Sequence, residues 1–309
     1  MKPAPFTLHS PTTIDEAVAL LAELDDAKVL AGGQSLVPVL NMRLATPAHL
    51  VDINRISELS SVEVLADRVR VGATVRHSEL EHHDAAHQAL PLLRQALAWV
   101  AHPAIRNRGT TVGSIAHADP SGEMPAVLAI TDGTVRARST RGERTISAEE
   151  FFVGPMESVL EPDELVLGVD FGRFPAGTIT GYHELARRSG DYALSGVAVA
   201  LTTEAGRVTA AKASFVSVTD RPDVLDLGGV LAGCTPDEVG AEELAAVAQA
   251  ARDHVEPVDD IHASADYRRH LSGTLCRRVV SGLLAELQSP PARGTQLQPE
   301  PQPTAEVQR

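Results

Sequence analysis

Apolar residues in "TTIDEAVALLAEL" recur at Ile14, Ala17, Val18 and Leu21, a spacing of i, i+3, i+4, i+7 that puts them on one face of a helix. Thr13 followed three residues later by Glu16 has the form of a capping box, which satisfies amides left orphaned at a helix start. "KVLA" then reads as a short strand, two glycines follow, and "SLVPVLNMRL" returns to helical spacing, with Ser35 as the expected N-cap and Pro38 tolerable in the first turn. "HLVDI" is another short strand. Strict alternation at Val62, Val64, Val69 and Val71 around Ala66-Asp67 predicts a hairpin. Residues 78–101 predict one or two helices interrupted near Pro91, "MPAVLAI" a helical turn, and "GTVRARS" and "ELVLGVDF" two strands.

The pattern changes near residue 177. "YHELARRSGDYALSGVAVAL", "RVTAAKASFVSV" and "GGVLAG" look like antiparallel strands with a Gly-rich loop, and two helices are expected at about 236–253 and 263–286. This predicts an α+β chain in three parts: a mixed domain over 1–176, a C-terminal α+β domain over 177–288 with an antiparallel sheet and helices, and a tail over 289–309 whose Pro- and Gln-rich composition suits disorder. The 309 residues leave room for two domains of ordinary size.

Composition narrows the chemistry. A formal net charge of −14 argues against nucleic-acid binding, leaving "AIRNRG" and "ARRSGD" as local basic sites. No apolar run is long enough for a membrane span, and the N-terminus lacks a signal-peptide core, so the expected location is cytoplasmic. Two isolated cysteines, Cys234 and Cys276, cannot hold an iron–sulfur cluster, which takes four ligands. Redox chemistry would need an organic cofactor or another chain.

Two segments carry the candidate chemistry. In "KVLAGGQSL" the glycines open positive φ and close approach, so the amides of Gly32, Gly33, Gln34 and Ser35 can converge on an anion such as a phosphate. A plain strand–turn–helix connection accounts for those residues equally well. Neither G-x-G-x-x-G nor the P-loop lysine is present. The second segment, "RNRGTTVGSIAHADPSGE", crowds Gly109, Thr110, Thr111, Gly113, Ser114, His117, Asp119, Ser121 and Glu123 into a loop suited to a charged bridge and a sugar, with Glu123 as an acceptor for ribose hydroxyls. A third, "HELARRSGDYALSG", joins Arg187 and Arg188 to Asp191 and Tyr192 and is weak by itself.

Taken in order, "AGGQSLVPVLNMRL", "HPAIRNRGTTVGSIAHADPSGEMPAVLAI" and "ARRSGDYAL" resemble the FAD-binding medium subunit of the molybdenum hydroxylases, of the aerobic carbon-monoxide dehydrogenase type and similar to the flavin domain of xanthine dehydrogenase. The resemblance covers about residues 3–286. It implies an FAD-binding domain of the vanillyl-alcohol-oxidase (PCMH) type in two α/β subdomains. It also implies FAD contacts from Ala31, Gly32, Gly33, Gln34, Ser35 and Leu36, and from Thr110, Thr111, Gly113 and Ser114, with His117 and Asp119 nearby. By the same likeness Glu123 holds the adenosine ribose, Leu167 packs near the adenine, and Tyr192 lies against the isoalloxazine ring. The family pattern G-T-[IV]-G-G-[NS] is broken here by Val112, whose branched side chain would crowd a phosphate, and His183 stands where some relatives have a lysine.

The resemblance further implies a heterotrimer, dimerised, with molybdopterin in a large subunit and two [2Fe–2S] clusters in a small one. Electrons would pass from the clusters to FAD and on to a quinone, O2 or NAD. No catalytic residue and no metal ligand is expected in this chain. A stand-alone FAD enzyme acting on a small organic substrate, and a nucleotide-binding scaffold without redox turnover, are the alternatives. His83 and His87, a possible i, i+4 metal pair, read as a solvated polar face, and Trp99 and the Leu90–Leu97 stripe as core. The flavin assignment requires that the two small-residue bends face one shared cleft.

Overall fold

The computed structural model describes residues 1–288; the Pro-rich tail expected to be disordered lies outside the described residues. Two larger sheets and a two-stranded ribbon, Phe152–Gly154 with Glu157–Ser158, build the first domain. Thr7–His9, His49–Asp52 and Ala27–Leu30 pair in that spatial order as a three-stranded parallel sheet. The helix Ile14–Glu23 crosses between its strands and buries Ala17, Val18 and Leu21, the face that the spacing predicts. Thr13 caps it by accepting from Glu16 N, but the Glu16 carboxylate accepts from Thr12 N rather than Thr13 N, so the box closes one residue early.

The second sheet is antiparallel, in the order Val62–Val64, Arg68–Gly72, Leu165–Gly172, Thr134–Ser139, Gly142–Ser147. Val62 lies opposite Val71 and Val64 opposite Val69, as the alternation demands. Residues 77–97 form three helices where one or two are expected: His77–Glu81, Asp84–Ala89 and Pro91–Leu97. The extra break falls at His83, whose ring accepts from Ala86 N and starts a new helix. Pro91 opens the third from its first position, where its missing N–H costs nothing.

The helix Glu123–Ile130 is apolar on every side because every side is covered; Met124 to Ile130 are all buried. It lies between the strand Leu165–Gly172 of the first domain and the strands Ala193–Glu204 and Arg207–Val216 of the second.

The C-terminal sheet runs antiparallel in chain order through Thr178–Ala186, Ala193–Glu204, Arg207–Val216 and Leu225–Asp226. Its second strand is buried on both faces. Ala198 and Ala200 belong to the first domain's core, while Val197, Val199 and Leu201 face the helices Ala241–His254 and Ala265–Gln288. That double burial explains an apolar run without alternation. "GGVLAG" differs from expectation: Gly228–Leu231 is one helical turn, initiated where Asp226 Oδ1 takes the Gly228 amide. Polar bonds stitch the two domains together: Gln95 Nε2 donates to Thr180 O and Thr180 Oγ1 to Gln95 Oε1, both at 2.9 Å, and Ser217 N donates to Pro120 O at 2.9 Å.

Candidate functional site

The strand Ala27–Leu30 delivers the chain to Ala31 and the glycine pair, and the helix Leu36–Met42 takes it away. Gly33 holds φ at +73°, a region that L side chains seldom adopt. A Cβ there would also lie 3.1 Å from Leu30 Cδ1 and 3.2 Å from Val37 Cγ2. Ser35 is not the cap expected of it. Its backbone is already helical and its hydroxyl bonds no helix amide. Among the described residues no protein acceptor takes the amides of Gly32, Gly33, Gln34 or Ser35. Four consecutive unpaired main-chain donors are uncommon in a folded chain unless something outside accepts from them. They border an open cavity of about 300 Å³, lined by residues that include Leu30, Val37, Asp52, Asn54 and Arg108.

The second segment meets the first. A Cβ on Gly32 would lie 2.4 Å from Arg108 O, 2.7 Å from Gly109 Cα and 2.9 Å from Thr110 N, so the two main chains are in direct contact at that point. The bends therefore face one another, as the flavin assignment requires. Three polar links span them. Asn54 Nδ2 donates to Ala31 O at 2.8 Å, and the Arg76 guanidinium donates to Asn54 Oδ1 at 2.7 Å and to Arg108 O at 2.6 Å.

The second segment is a helix rather than the expected loop. Thr110 caps Thr111–His117, its Oγ1 accepting from Gly113 N at 3.1 Å. Val112 is 2% exposed with its side chain in the core, so it does not crowd the cleft as a branched residue in an open turn would. Thr111 is wholly buried; its amide donates to Val75 O and its hydroxyl is 3.2 Å from His77 Nδ1. Burial, aided by the Arg106 charge, pulls the His77 pKa down to about 4 and keeps that ring neutral. Leu167 sits at a β-bulge with its side chain in the apolar core. Neither Thr111 nor Leu167 offers a side chain to the cavity. Gly113, Ser114 and His117 remain partly exposed along the helix.

Past the left-handed Ala118 the chain turns back toward the C-terminal domain. Asp119 Oδ1 accepts from Ser121 N. Glu123 opens the buried helix opposite Glu184, which is 3% exposed and accepts from the Tyr182 hydroxyl at 2.7 Å. Loss of water, then the charge of Glu184, raises the Glu123 pKa, and loss of water raises that of Glu184. The pair therefore favours keeping a proton. This differs from the expectation of Glu123 as a plain ionised acceptor.

The third segment closes over the same region. Gly190, at φ +82°, lies flat on the His102 ring, where a Cβ would come within 2.4 Å of Cε1. Arg187 is 2.8 Å from His262 Nδ1. Tyr192 is 66% exposed, with its hydroxyl beside Asp119. Desolvation at its hydroxyl and the neighbouring Asp119 push the phenol up to about 12. His183 is half-buried beside Trp99, with ring centroids 5.0 Å apart. Among the described residues no three His, Cys, Asp or Glu side chains group to hold a metal ion, and no helix is long and apolar enough to cross a membrane.

A glycine bend with free amides, pressed against a capped helix start, is the arrangement expected of a dinucleotide-binding subunit. The family models agree: residues 4–173 match the FAD binding domain in molybdopterin dehydrogenase, and residues 180–283 the CO dehydrogenase flavoprotein C-terminal domain. The chain belongs to this family of FAD-binding medium subunits of molybdenum hydroxylases. It is 40% identical to the nicotine 6-hydroxylase medium subunit of Paenarthrobacter nicotinovorans, over 91% of this chain and 98% of that one. To the carbon monoxide dehydrogenase medium chain of Hydrogenophaga pseudoflava it is 34% identical, over 92% and 99%. In three dimensions it is similar to quinoline 2-oxidoreductase from Pseudomonas putida 86, with a TM-score of 0.88 at 35% identity, covering 94% of this chain and 100% of that one.

The residues present fit FAD. The free amides lie where a Cβ on Gly33 would be strained, and the Arg108 guanidinium at the cavity edge has no protein partner among the described residues. Asn54, Arg76 and Arg108 are missing from the sequence-based set. "AIRNRG" drew attention to Arg108 as a basic site, but nothing near Asn54 or Arg76 signals a role.

Proposed function

We propose that this chain is the FAD-bearing electron-transfer subunit of a cytoplasmic heterotrimeric molybdenum hydroxylase, assembled as a dimer of heterotrimers. The FAD-binding domain spans 1–176 and the C-terminal α+β domain 177–288. The observation that carries this reading is the row of four unpaired amides, Gly32 to Ser35, held in main-chain contact with the second bend.

Ala31 to Leu36 grip the diphosphate through N–H groups that carry partial positive charge. Ser114 and His117 extend the grip along the capped helix, with Gly113 giving close approach. Asp119 and Glu123 face the sugar and ribityl hydroxyls, Glu123 able to donate as well as accept while it keeps its proton. Tyr192 covers the ring and limits water at it. FAD bound here supplies the redox chemistry, taking electrons from two [2Fe–2S] clusters in a small partner subunit and passing them to a quinone, O2 or NAD. Molybdopterin belongs to a large partner subunit. With only Cys234 and Cys276, far short of a cluster set, this chain depends on such partners.

The test is the visible spectrum of the purified full chain after FAD addition and gel filtration. A flavin absorbance retained at about one equivalent is expected. A folded protein that stays colourless removes the FAD reading. Co-purification from the native host with an iron–sulfur chain and a molybdopterin chain is expected too; a flavin-loaded chain that turns over a small substrate alone would favour the stand-alone enzyme.

A further inference from the structure

Arg76 stands just before the helix His77–Glu81, four residues past the strand Arg68–Gly72, half-buried and without an ion pair among the described residues. Its backbone is committed: the amide donates to Glu79 Oε2, and the residue bridges antiparallel to Thr110. Its guanidinium is spent on two groups from opposite walls of the cleft. One nitrogen donates to the main-chain oxygen of Arg108, at the entry of the second bend. Another donates to the Asn54 amide oxygen, and Asn54 in turn donates to the main-chain oxygen of Ala31, at the entry of the glycine bend. Asn54 is itself fixed by Asp52, whose Oδ1 accepts from the Asn54 main-chain N–H at 3.0 Å and from its Nδ2.

The chain Ala31 O–Asn54–Arg76–Arg108 O is therefore the polar tie between the bends, and at the glycine bend it acts on the carbonyl that precedes the first free amide, Gly32 N; at the other end it holds Arg108 O, whose following amide is already taken by Ile105 O. Fixing a carbonyl fixes the peptide plane, and with it the direction of the next N–H. We infer that Arg76, acting through Asn54, is a positioning residue that aims the free amides of the glycine bend at a diphosphate while holding the second bend against it. This rests on the proposed FAD site.

The charge arrangement supports it. Arg76 and Arg108 are close enough that the Arg108 charge, after desolvation, lowers the affinity of Arg76 for its proton. The nearby carboxylates of Glu79 and Asp52 offset that only in part, and neither forms an ion pair with the Arg76 guanidinium, so the two guanidiniums still repel each other. A diphosphate relieves that repulsion. The charge thus favours the loaded state, while the hydrogen bonds set its geometry.

The experiment measures FAD and ADP dissociation constants of the full-length apoprotein by fluorescence quenching and calorimetry, with riboflavin as the ligand lacking a diphosphate. Arg76→Lys keeps the charge but cannot span two acceptors in a fixed fork. It is expected to weaken FAD and ADP by about 10- to 100-fold, the worth of a charge-assisted hydrogen bond, with riboflavin affinity unchanged. Asn54→Ala is expected to do the same, and the double variant to lose no more than the worse single one, since both cut one tie. Arg108→Gln, which keeps its carbonyl, is expected to weaken ADP less and to reduce the salt dependence of binding. Wild-type FAD affinity in folded Arg76→Lys and Asn54→Ala overturns the inference, as does an equal loss for riboflavin. Should Arg76→Lys not fold, Asn54→Ala decides it, by its loss of FAD and ADP set against its riboflavin affinity. If the wild-type apoprotein binds neither FAD nor ADP, the FAD site fails before the tie is in question.

Discussion

The two bends of the cleft meet at Gly32 yet are built on opposite plans. The first leaves its donors free: Gly32 to Ser35 give no amide to the protein, and Ser35 declines its role as a cap. The second consumes its own. Thr111 N goes to Val75, Gly113 N to the Thr110 hydroxyl and Ser114 N to the Thr110 carbonyl. The anchoring differs as well. The first bend hangs from a small parallel sheet, whereas the second runs on to Pro120 and Glu123, which contact the C-terminal domain. Segments of similar composition therefore do different work. One leaves donors open to an anion; the other is a wall whose position is set by two domains.

The largest expected effect lies in the first bend. Gly33→Val should lose FAD binding by at least about 100-fold while the chain still folds. The residue stands at φ +73°, where a branched side chain costs on the order of 1–3 kcal/mol, and relief of that strain turns the adjacent free amides away. Equilibrium titration with FAD reads the loss, and far-ultraviolet circular dichroism the fold. A folded Gly33→Val with normal flavin content would place the grip elsewhere.

Gly113→Ala is the matched change in the second bend, and a smaller loss is expected. Its Cβ would fall 2.5 Å from Thr110 Oγ1 and displace the cap. A lost cap costs about 1 kcal/mol of stability, so thermal unfolding should shift by a few degrees, with FAD affinity falling less than tenfold. Equal losses of FAD at Gly33 and Gly113 would erase the distinction between grip and wall.

How far each plan was legible follows from its physics. Periodicity found the helix at Ile14, the 62–71 hairpin and the final helices, because those patterns report burial directly. The glycine pair was visible for a similar reason, since few backbones need two adjacent residues without Cβ. The second bend was misread as loop because Gly, Thr and Ser mark loops and capped helix starts alike. Only the contact between Thr110 Oγ1 and Gly113 N separates the two. Val112 looked obstructive by position, but a helix turns its side chain into the core. Asn54 and Arg76 left no trace, since each matters through a partner 20 or more residues away, and the Tyr182–Glu184 pair, two apart on one strand, matters only because it meets Glu123.

The difference in anchoring has a pH consequence. Glu123 and Glu184 meet where the wall joins the C-terminal sheet, with Tyr182, Asp119 and Arg106 as the neighbouring titratable groups. Both carboxyls have folded-state pKa values above their ordinary value near 4.5, so the folded chain holds a proton that the unfolded chain releases. The sign follows: stability is unpenalised below about pH 4.5 and falls as pH rises through the neutral range, where the pair is forced to ionise. Each pH unit by which a carboxyl is raised is worth about 1.4 kcal/mol, or roughly 3–6 °C of unfolding midpoint for a chain somewhat smaller than this one. Glu184→Gln keeps an acceptor for the Tyr182 hydroxyl and removes the second charge. Its midpoint is expected to rise above that of the wild type between pH 6 and 9 and to converge with it near pH 4.5. The Gly33 bend has no titrating neighbour of this kind, so FAD affinity lost by the wild type toward pH 9 should be regained in Glu184→Gln. Parallel curves for the two proteins across that range would mean that the wall is not held by the shared proton.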